Sequence, residues 1–348
     1  MHTINIPTMA LLIKHVGVNL RHALMFWGKP GVGKSEGIRA AAEDLGGHLI
    51  DIRLSQYDSV DLRGIPSPDS ASGLTVWYAP ATLPFKGNAR FAHLKDALIF
   101  LFLDEVNSAT PAVSAVAYQL INEYRVGEHE LMDNVVVLAA GNREGDRGVT
   151  NRMPTPLSNR FTHAEIVEDV DAYCEWHQNQ GLPPVGVAFL QFRKPLLCTF
   201  DPSRTDKAFA TPRSWSKAFA YHASDMPESL KRVAMAGAVG EGPATEFMAF
   251  LDVWHKMIPI SQIIANPKGA ALPEELAMAY AMSVAISGSM TPETITPLCI
   301  YLDRLAQQPQ TGPEFVVLAW TMATKRDKTL YTTKEFLDFS KKYRVVFS

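Results

Sequence analysis

The first half of the chain alternates short, uninterrupted apolar runs with stretches of helical character. Residues 23–27 (ALMFW), 48–52 (HLIDI), 98–103 (LIFLFL) and 135–140 (VVVLAA) read as strands, and residues 34–45 and a segment starting near Pro111 read as helices. Apolar strands that do not alternate with polar positions are buried on both faces, as in parallel sheets covered by helices. The pattern therefore predicts a doubly wound α/β sheet. From about Glu168 the chain changes to helices punctuated by proline and glycine, with one ambiguous apolar run at 315–318 (FVVL). Residues 64–73 (GIPSPDSASG) are the most loop-like segment and fall inside the first half. Residues 1–168 are accordingly expected to form one domain and residues 169–348 a mostly helical second one.

Composition narrows the class without naming a chemistry. With 348 residues, 47% hydrophobic and 20% charged, the chain can bury a sizeable core and is not disordered. Lys plus Arg number 33 against 36 Asp plus Glu, a formal charge of -3, so no global positive field recruits nucleic acid or an anionic membrane. The three cysteines, Cys174, Cys198 and Cys299, are odd in number and widely spaced, which suits reduced core thiols rather than disulfides or a zinc cluster. No apolar run approaches the roughly 18 residues of a membrane span, and residues 1–20 lack a signal-peptide pattern. The expectation is a soluble, cytoplasmic protein.

Chemistry enters at Gly28-Lys29-Pro30-Gly31-Val32-Gly33-Lys34-Ser35, which satisfies G-x-x-x-x-G-K-[ST] between a predicted strand and a predicted helix. Glycines let successive N–H groups converge on phosphate oxygens, and the following helix adds its positive end. Lys34 is expected to reach the β- and γ-phosphates and Ser35 to ligate Mg²⁺. The run 98–103 then ends in Asp104-Glu105, two acids that suit a metal shell and a polarised water respectively. The run 135–140 ends in Gly141-Asn142, which a parallel sheet would bring to the same edge. Arg160 follows a short helical stretch, and Arg213 lies in a helix opened by Pro212.

Taken together, GKPGVGKS, FLFLDEVNSA, VVVLAAGN, PLSNRF and TPRSW, in that order, resemble the AAA+ ATPases and, within them, the MoxR-like branch. The resemblance covers about residues 20–220. It implies a P-loop αβα sandwich with a parallel sheet, then a helical lid and a C-terminal helical extension. ATP is implied at Gly28, Pro30, Gly31, Val32, Gly33, Lys34, Ser35 and Glu36, with Mg²⁺ at Ser35 and Asp104. With Lys34 and Glu105, the carboxylate that polarises the attacking water, as catalytic residues, it further implies Asn142 as the sensor-1 residue, Arg160 as an arginine finger acting on a neighbouring subunit, and Arg213 as the sensor-2 arginine. Residues of about 60–85 match the helix-2 insertion of the branch, and those of about 124–134 its hairpin. By the same resemblance the chain would assemble as a hexameric ring and remodel a protein client, one bearing a von Willebrand factor A domain in the branch's usual pairing. Where the branch commonly carries Gln-Asn-Pro, this chain has Gly141-Asn142-Arg143, which leaves Arg143, Arg147 and Arg152 as rival trans-acting arginines.

The main rival is a nucleic-acid-associated motor, such as a helicase loader; mild acidity and the lack of interleaved basic and aromatic residues argue against it, while RFAHLK at 90–95 argues for it. A GTP switch would use Thr324-Lys325-Arg326-Asp327, but that element lies far from the sheet. A scaffold that binds nucleotide without hydrolysis conflicts with the presence of every catalytic residue type. Residues 247–251 and 277–282 read as buried helix faces. Trp77 and Tyr78 read either as packed against their own domain or as a grip on a substrate.

Overall fold

In the computed structural model, which describes residues 1–146, 153, 155–309 and 312–343, the apolar runs 23–27, 98–103 and 135–140 become the middle of a sheet and the run 48–52 its edge. The chain divides into two units, Met1–Asp169 with Asp201–Arg204, and Val170–Phe200 with Thr205–Ser348. In chain order the first contains β1 (Thr3–Ile4), α1 (Ile6–Leu12), β2 (Leu24–Trp27), α2 (Lys34–Asp44), β3 (His48–Arg53) and α3 (Ser59–Arg63). There follow β4 (Ile65–Asp69), β5 (Leu74–Tyr78), β6 (Ile99–Asp104), α4 (Pro111–Glu123), β7 (Arg125–Val126), β8 (His129–Glu130), β9 (Val135–Gly141), α5 (Thr155–Ser158) and β10 (Thr162–Ile166).

Six strands form a parallel sheet in the order β1-β10-β2-β9-β6-β3. Because side chains alternate across a strand, each apolar run feeds two cores. Leu24, Phe26, Phe100, Phe102, Val136, Leu138 and Ala140 pack with Met9 of α1 and Ile38, Ala41 and Ala42 of α2. Met25, Trp27, Leu101, Leu103, Val137 and Ala139 pack on the other face with Val113, Ala117, Leu120 and Ile121 of α4. The αβα sandwich is thus the direct outcome of strands whose two faces are both apolar. The chain passes from β2 to the far edge at β3 and returns through β6 and β9, so β9 lies between β2 and β6 and the carboxyl ends of all three are neighbours. Ligands of open α/β sheets gather at such an edge.

Three features depart from the sequence pattern. The apolar runs do not mark β1 or β10: β10 (THAEI) is polar at alternate positions and β1 is two residues long, so neither stands out. The loop-like segment carries a strand, β4, despite Pro66 and Pro68. The ribbon it forms with β5 has only two strands, pairing Pro66 with Trp77 and Pro68 with Thr75, so proline's missing N–H is tolerated on its open edge. Residues 315–318 are helical, within Glu314–Arg326.

The second unit has helices and no strand among its described residues: α6 (Val170–Asn179), α7 (Pro184–Phe192), α8 (Pro212–Ala223), α9 (Glu228–Val239), α10 (Glu241–His255), α11 (Ile260–Ala265), α12 (Leu276–Ser289), α13 (Ile295–Leu305), α14 (Glu314–Arg326) and α15 (Lys334–Lys342). α8 starts where Thr211 and Ser214 cap each other reciprocally ahead of Pro212. α12 contributes Ala281 and Val284 to one core and Ala279, Met282 and Ile286 to another. Its buried Ser283 and Ser287 satisfy their hydroxyls on the helix's own carbonyls at 2.9 and 2.7 Å. No helix among the described residues is long and apolar enough to cross a membrane.

His177 of α6 is fully buried, with ring centroids 5.9 Å from Tyr173 and 4.9 Å from Phe219, and neither ring nitrogen has a hydrogen-bond partner among the described residues. Burial pushes its pKa down to about 4. The unfolded chain takes up a proton near pH 6.5 and the folded chain only near 4, so stability is complete above that window and lost as pH falls through it, by about 3 kcal/mol in all. His177→Leu is expected to flatten the fall of the unfolding midpoint between pH 6.5 and 4, as measured by denaturant titration across that range.

Candidate active site

The loop from β2 to α2 is shaped by glycines where the geometry demands them. Gly31 and Gly33 have φ of +77° and +105°, in the region that side chains disfavour. A Cβ on Gly28 would stand 2.7 Å from the backbone oxygen of Ile166, because the loop lies directly against the end of β10. α2 starts from Gly33 with no side-chain cap, so the N–H groups of its first turn have no intrahelical carbonyl to bond.

Lys34 is buried at 8% exposure, and its Nζ donates to Gly28 O at 2.7 Å, Lys29 O at 3.0 Å and Asn142 Oδ1 at 3.2 Å. Beside it, Ser35 Oγ donates to Asp104 Oδ2 at 2.9 Å, and the other carboxylate oxygen accepts from Glu105 N, also at 2.9 Å. Glu105 adopts a left-handed backbone, φ +57°, rare for a non-glycine residue, and its carboxylate accepts a hydrogen bond from Ser55 just beyond β3. Asp51 of β3 is held above the ordinary carboxyl range, by burial first and by the charge of Asp104 second. The sheet edge thus gathers Lys34, Ser35, Asp104, Glu105 and Asn142. A hydroxyl next to a carboxylate offers hard oxygens of the kind Mg²⁺ takes, and uncapped N–H groups with a buried ammonium suit phosphate oxygens.

Other expected residues fall elsewhere. Val32 is buried among the α1–α2 core residues, and exposed Glu36 stands 3.9 Å from Arg39. Arg143 is bound within its own unit, to Asp146 at 3.0 Å and Glu165 at 3.2 Å. Arg160 is exposed in the turn after α5 and makes no side-chain hydrogen bond or ion pair among the described residues. Arg213 is exposed on the first turn of α8 in the second unit. Arg147 and Arg152 lie outside the described residues.

The structure adds residues that sequence reasoning passed over. Asn107 is buried; its Nδ2 donates to Asn142 O at 2.8 Å, while its Oδ1 has no hydrogen-bond partner among the described residues and would lie 2.6 Å from a Cβ on Gly141. Its signal is a lone amide three residues after Asp104, in the short turn Val106–Ser108. Lys29 pairs with Glu168 at 2.6 Å, and Ser55 holds Glu105; neither carries a sequence signal without its partner. Trp77 packs under Arg63, whose guanidinium carbon is 4.1 Å from the ring centroid, while its backbone meets the β7–β8 hairpin through Glu128 and His129. Tyr78 remains 64% exposed.

Residues 24–168 match the model of the ATPase family associated with various cellular activities (AAA). Among solved structures, a candidate ATPase of Cytophaga hutchinsonii is similar over 91% of this chain and 79% of its own, at 12% identity and a TM-score of 0.35. NtrX of Brucella abortus is similar over 92% of this chain and 67% of its own, at 14% identity and a TM-score of 0.39. A point mutant of RuvB from Thermotoga maritima is similar over 88% of this chain and 92% of its own, at 14% identity and a TM-score of 0.36.

Gly28→Ala is expected to lower stability by about 1–3 kcal/mol, the usual cost of overpacking, because the backbone of Ile166 cannot yield as a side chain would. The displaced loop should also bind nucleotide more weakly; thermal unfolding and titration with a fluorescent nucleotide measure the two effects.

Proposed function

We propose that this chain is a Mg²⁺-dependent ATPase that turns over within a ring and uses hydrolysis to rearrange a protein partner. The observation that carries the reading is the pair of adjacent contacts at the sheet edge, Ser35 with Asp104 and Lys34 with Asn142. A structural turn has no need to bury an ammonium and a carboxylate side by side with a hydroxyl and an amide, since burying charges is costly.

ATP phosphates would lie in the loop 28–33 and against the first turn of α2, with Lys34 exchanging its carbonyl partners for phosphate oxygens. Ser35 and Asp104 would hold Mg²⁺, which when bound would supply charge neutralisation for the transferring phosphoryl group. Glu105 serves as the base toward the attacking water, and Ser55 holds that carboxylate in place until it is needed. Asn142, anchored through its own carbonyl by Asn107, orients the same water or the γ-phosphate. Arg160 is the choice for action on a neighbouring subunit: it is exposed and unpaired among the described residues, whereas Arg143 is already neutralised by two carboxylates. Arg213 is assigned a phosphate contact on the resemblance of its motif. An arginine supplied in trans makes turnover depend on assembly, since such a residue is worth about 10³ to 10⁵ in rate in other phosphoryl-transfer systems.

The hexameric ring, the place within the MoxR-like branch and a client bearing a von Willebrand factor A domain are proposed on the resemblance of the five motifs. The hairpin ribbon β4–β5, with Ile65, Leu74 and Tyr78 exposed, is the element proposed to meet that client.

Glu105→Gln is expected to keep ATP affinity and lose at least about 10²-fold in turnover, the share of a general base; unchanged turnover in a phosphate-release assay would remove Glu105 from this role. Arg160→Ala alone should be nearly inactive, yet regain activity when co-assembled with Lys34→Ala, which lends an intact arginine to an intact Lys34 site. Failure to recover, with co-assembly verified, would count against a trans-acting Arg160.

A further inference from the structure

We infer that His163 is the positioning residue for Arg160, clamping the turn that carries the guanidinium to the strand that carries the phosphate loop; this rests on the reading of Arg160 as the trans-acting arginine. Arg160 is the third residue of the turn Ser158–Phe161, which is closed by the Phe161 N–H on Ser158 O at 3.3 Å. The Arg160 N–H also bonds Leu157 O at 3.1 Å, but these bonds lie within the turn and its short helix and do not tie the turn to the sheet. His163, two residues further on in β10, places Nε2 2.6 Å from the same Ser158 oxygen and 3.3 Å from the Ser158 hydroxyl. Its Nδ1 lies 2.8 Å from the indole nitrogen of Trp27, the last residue of β2 before Gly28.

The two partners fix the tautomer. An indole N–H can only donate, so Nδ1 must be bare; a carbonyl can only accept, so Nε2 must carry the proton. One neutral imidazole therefore ties the Arg160 turn to the end of β2. The ring is also confined sterically, lying edge to edge and nearly coplanar with Trp27, with centroids 6.0 Å apart and an interplanar angle of 12°, and met by Phe161 at 6.0 Å in an edge-to-face contact. Leu157 and Phe161, buried on either side of the turn, fix its ends, and His163 fixes the carbonyl between them. Placement matters because a 1 Å displacement of a group that must meet a reacting centre can cost about 10²-fold in rate.

Two other roles are open to this histidine, and complementation separates them. It could act through Trp27 on the phosphate loop of its own subunit, or it could only stabilise the fold. His163→Phe keeps a ring but loses both hydrogen bonds, and His163→Gln keeps a donor and an acceptor on one planar group. His163→Phe assemblies are expected to lose about 10- to 100-fold in kcat with KM for ATP changed less than about twofold, and His163→Gln to restore most of the loss. Co-assembled with Lys34→Ala, the His163→Phe chain should recover turnover as Arg160→Ala does, because its neighbours then present undisturbed turns. If Arg160→Ala is rescued and His163→Phe is not, His163 acts on its own subunit and the proposal is overturned. If Arg160→Ala is itself not rescued, the trans reading of Arg160 fails and takes this proposal with it. Should His163→Phe not assemble, His163→Asn, whose shorter amide cannot span both partners, goes through the same mixing: rescue supports the proposal and its failure beside a rescued Arg160→Ala overturns it.

Discussion

The burial of an ammonium and a carboxylate at the end of one sheet is the constraint from which the rest of the first unit follows. Lys34 and Asp104 are each nine-tenths buried, where an unsatisfied charge would cost several kcal/mol. To satisfy Lys34, the loop turns its carbonyls inward, which requires Gly31 and Gly33 in backbone conformations other residues avoid. Asn142 must also come within reach, which places β9 next to β2. To satisfy Asp104, Ser35 must follow Lys34 directly, and the chain must bend so sharply after β6 that Glu105 takes a left-handed conformation. Asn107 then fills the space beside Gly141 and holds Asn142 in register. Strand order, glycine placement and backbone strain are in this sense consequences of two charges.

The near balance of 33 basic and 36 acidic residues conceals a local allocation of partners. Arg143 and Arg160 lie in the same region of the chain, yet the first is matched by Asp146 and Glu165 and the second by no carboxylate among the described residues. Which arginine is available is decided by where the carboxylates stand, a property of the fold that charge totals cannot express. The same holds at the loop between β2 and α2, where Lys29 is matched by Glu168 while Lys34 meets the neutral oxygens of Gly28, Lys29 and Asn142.

What is legible in the sequence is whatever is local. Strands β2, β6 and β9 announce themselves because central strands of a covered sheet must be apolar on both faces, and β3, at the sheet's edge, is marked by the apolar Leu49, Ile50 and Ile52. The contiguous motif 28–35 and the acids 104–105 are legible because the residues proposed to meet phosphate and metal stand next to one another in the chain. β10 is not, since only Ala164 and Ile166 of its five residues are buried, and neither is the helix over 315–318, where flanking residues and packing against α12 override the strand preference of Phe-Val-Val. Ser55, Asn107 and His163 are opaque for a different reason. Each is an ordinary polar residue until it meets a partner 50, 35 or 136 positions away, and nothing in the residue itself records that meeting.

The two prolines of the β4–β5 ribbon have an effect beyond being tolerated. An exposed ribbon with Ile65, Leu74 and Tyr78 on its surface would ordinarily invite another chain to add a strand, the route to β-augmentation and to aggregation. Here one edge lacks two N–H donors at Pro66 and Pro68, and on the other the N–H and C=O of Trp77 are already engaged by Glu128 and His129. Backbone pairing is blunted on both sides, so whatever touches this ribbon must do so through side chains. Contacts of that kind can be made and released without unzipping a ladder of hydrogen bonds, and they leave the exposed apolar surface with little tendency to template a fibril.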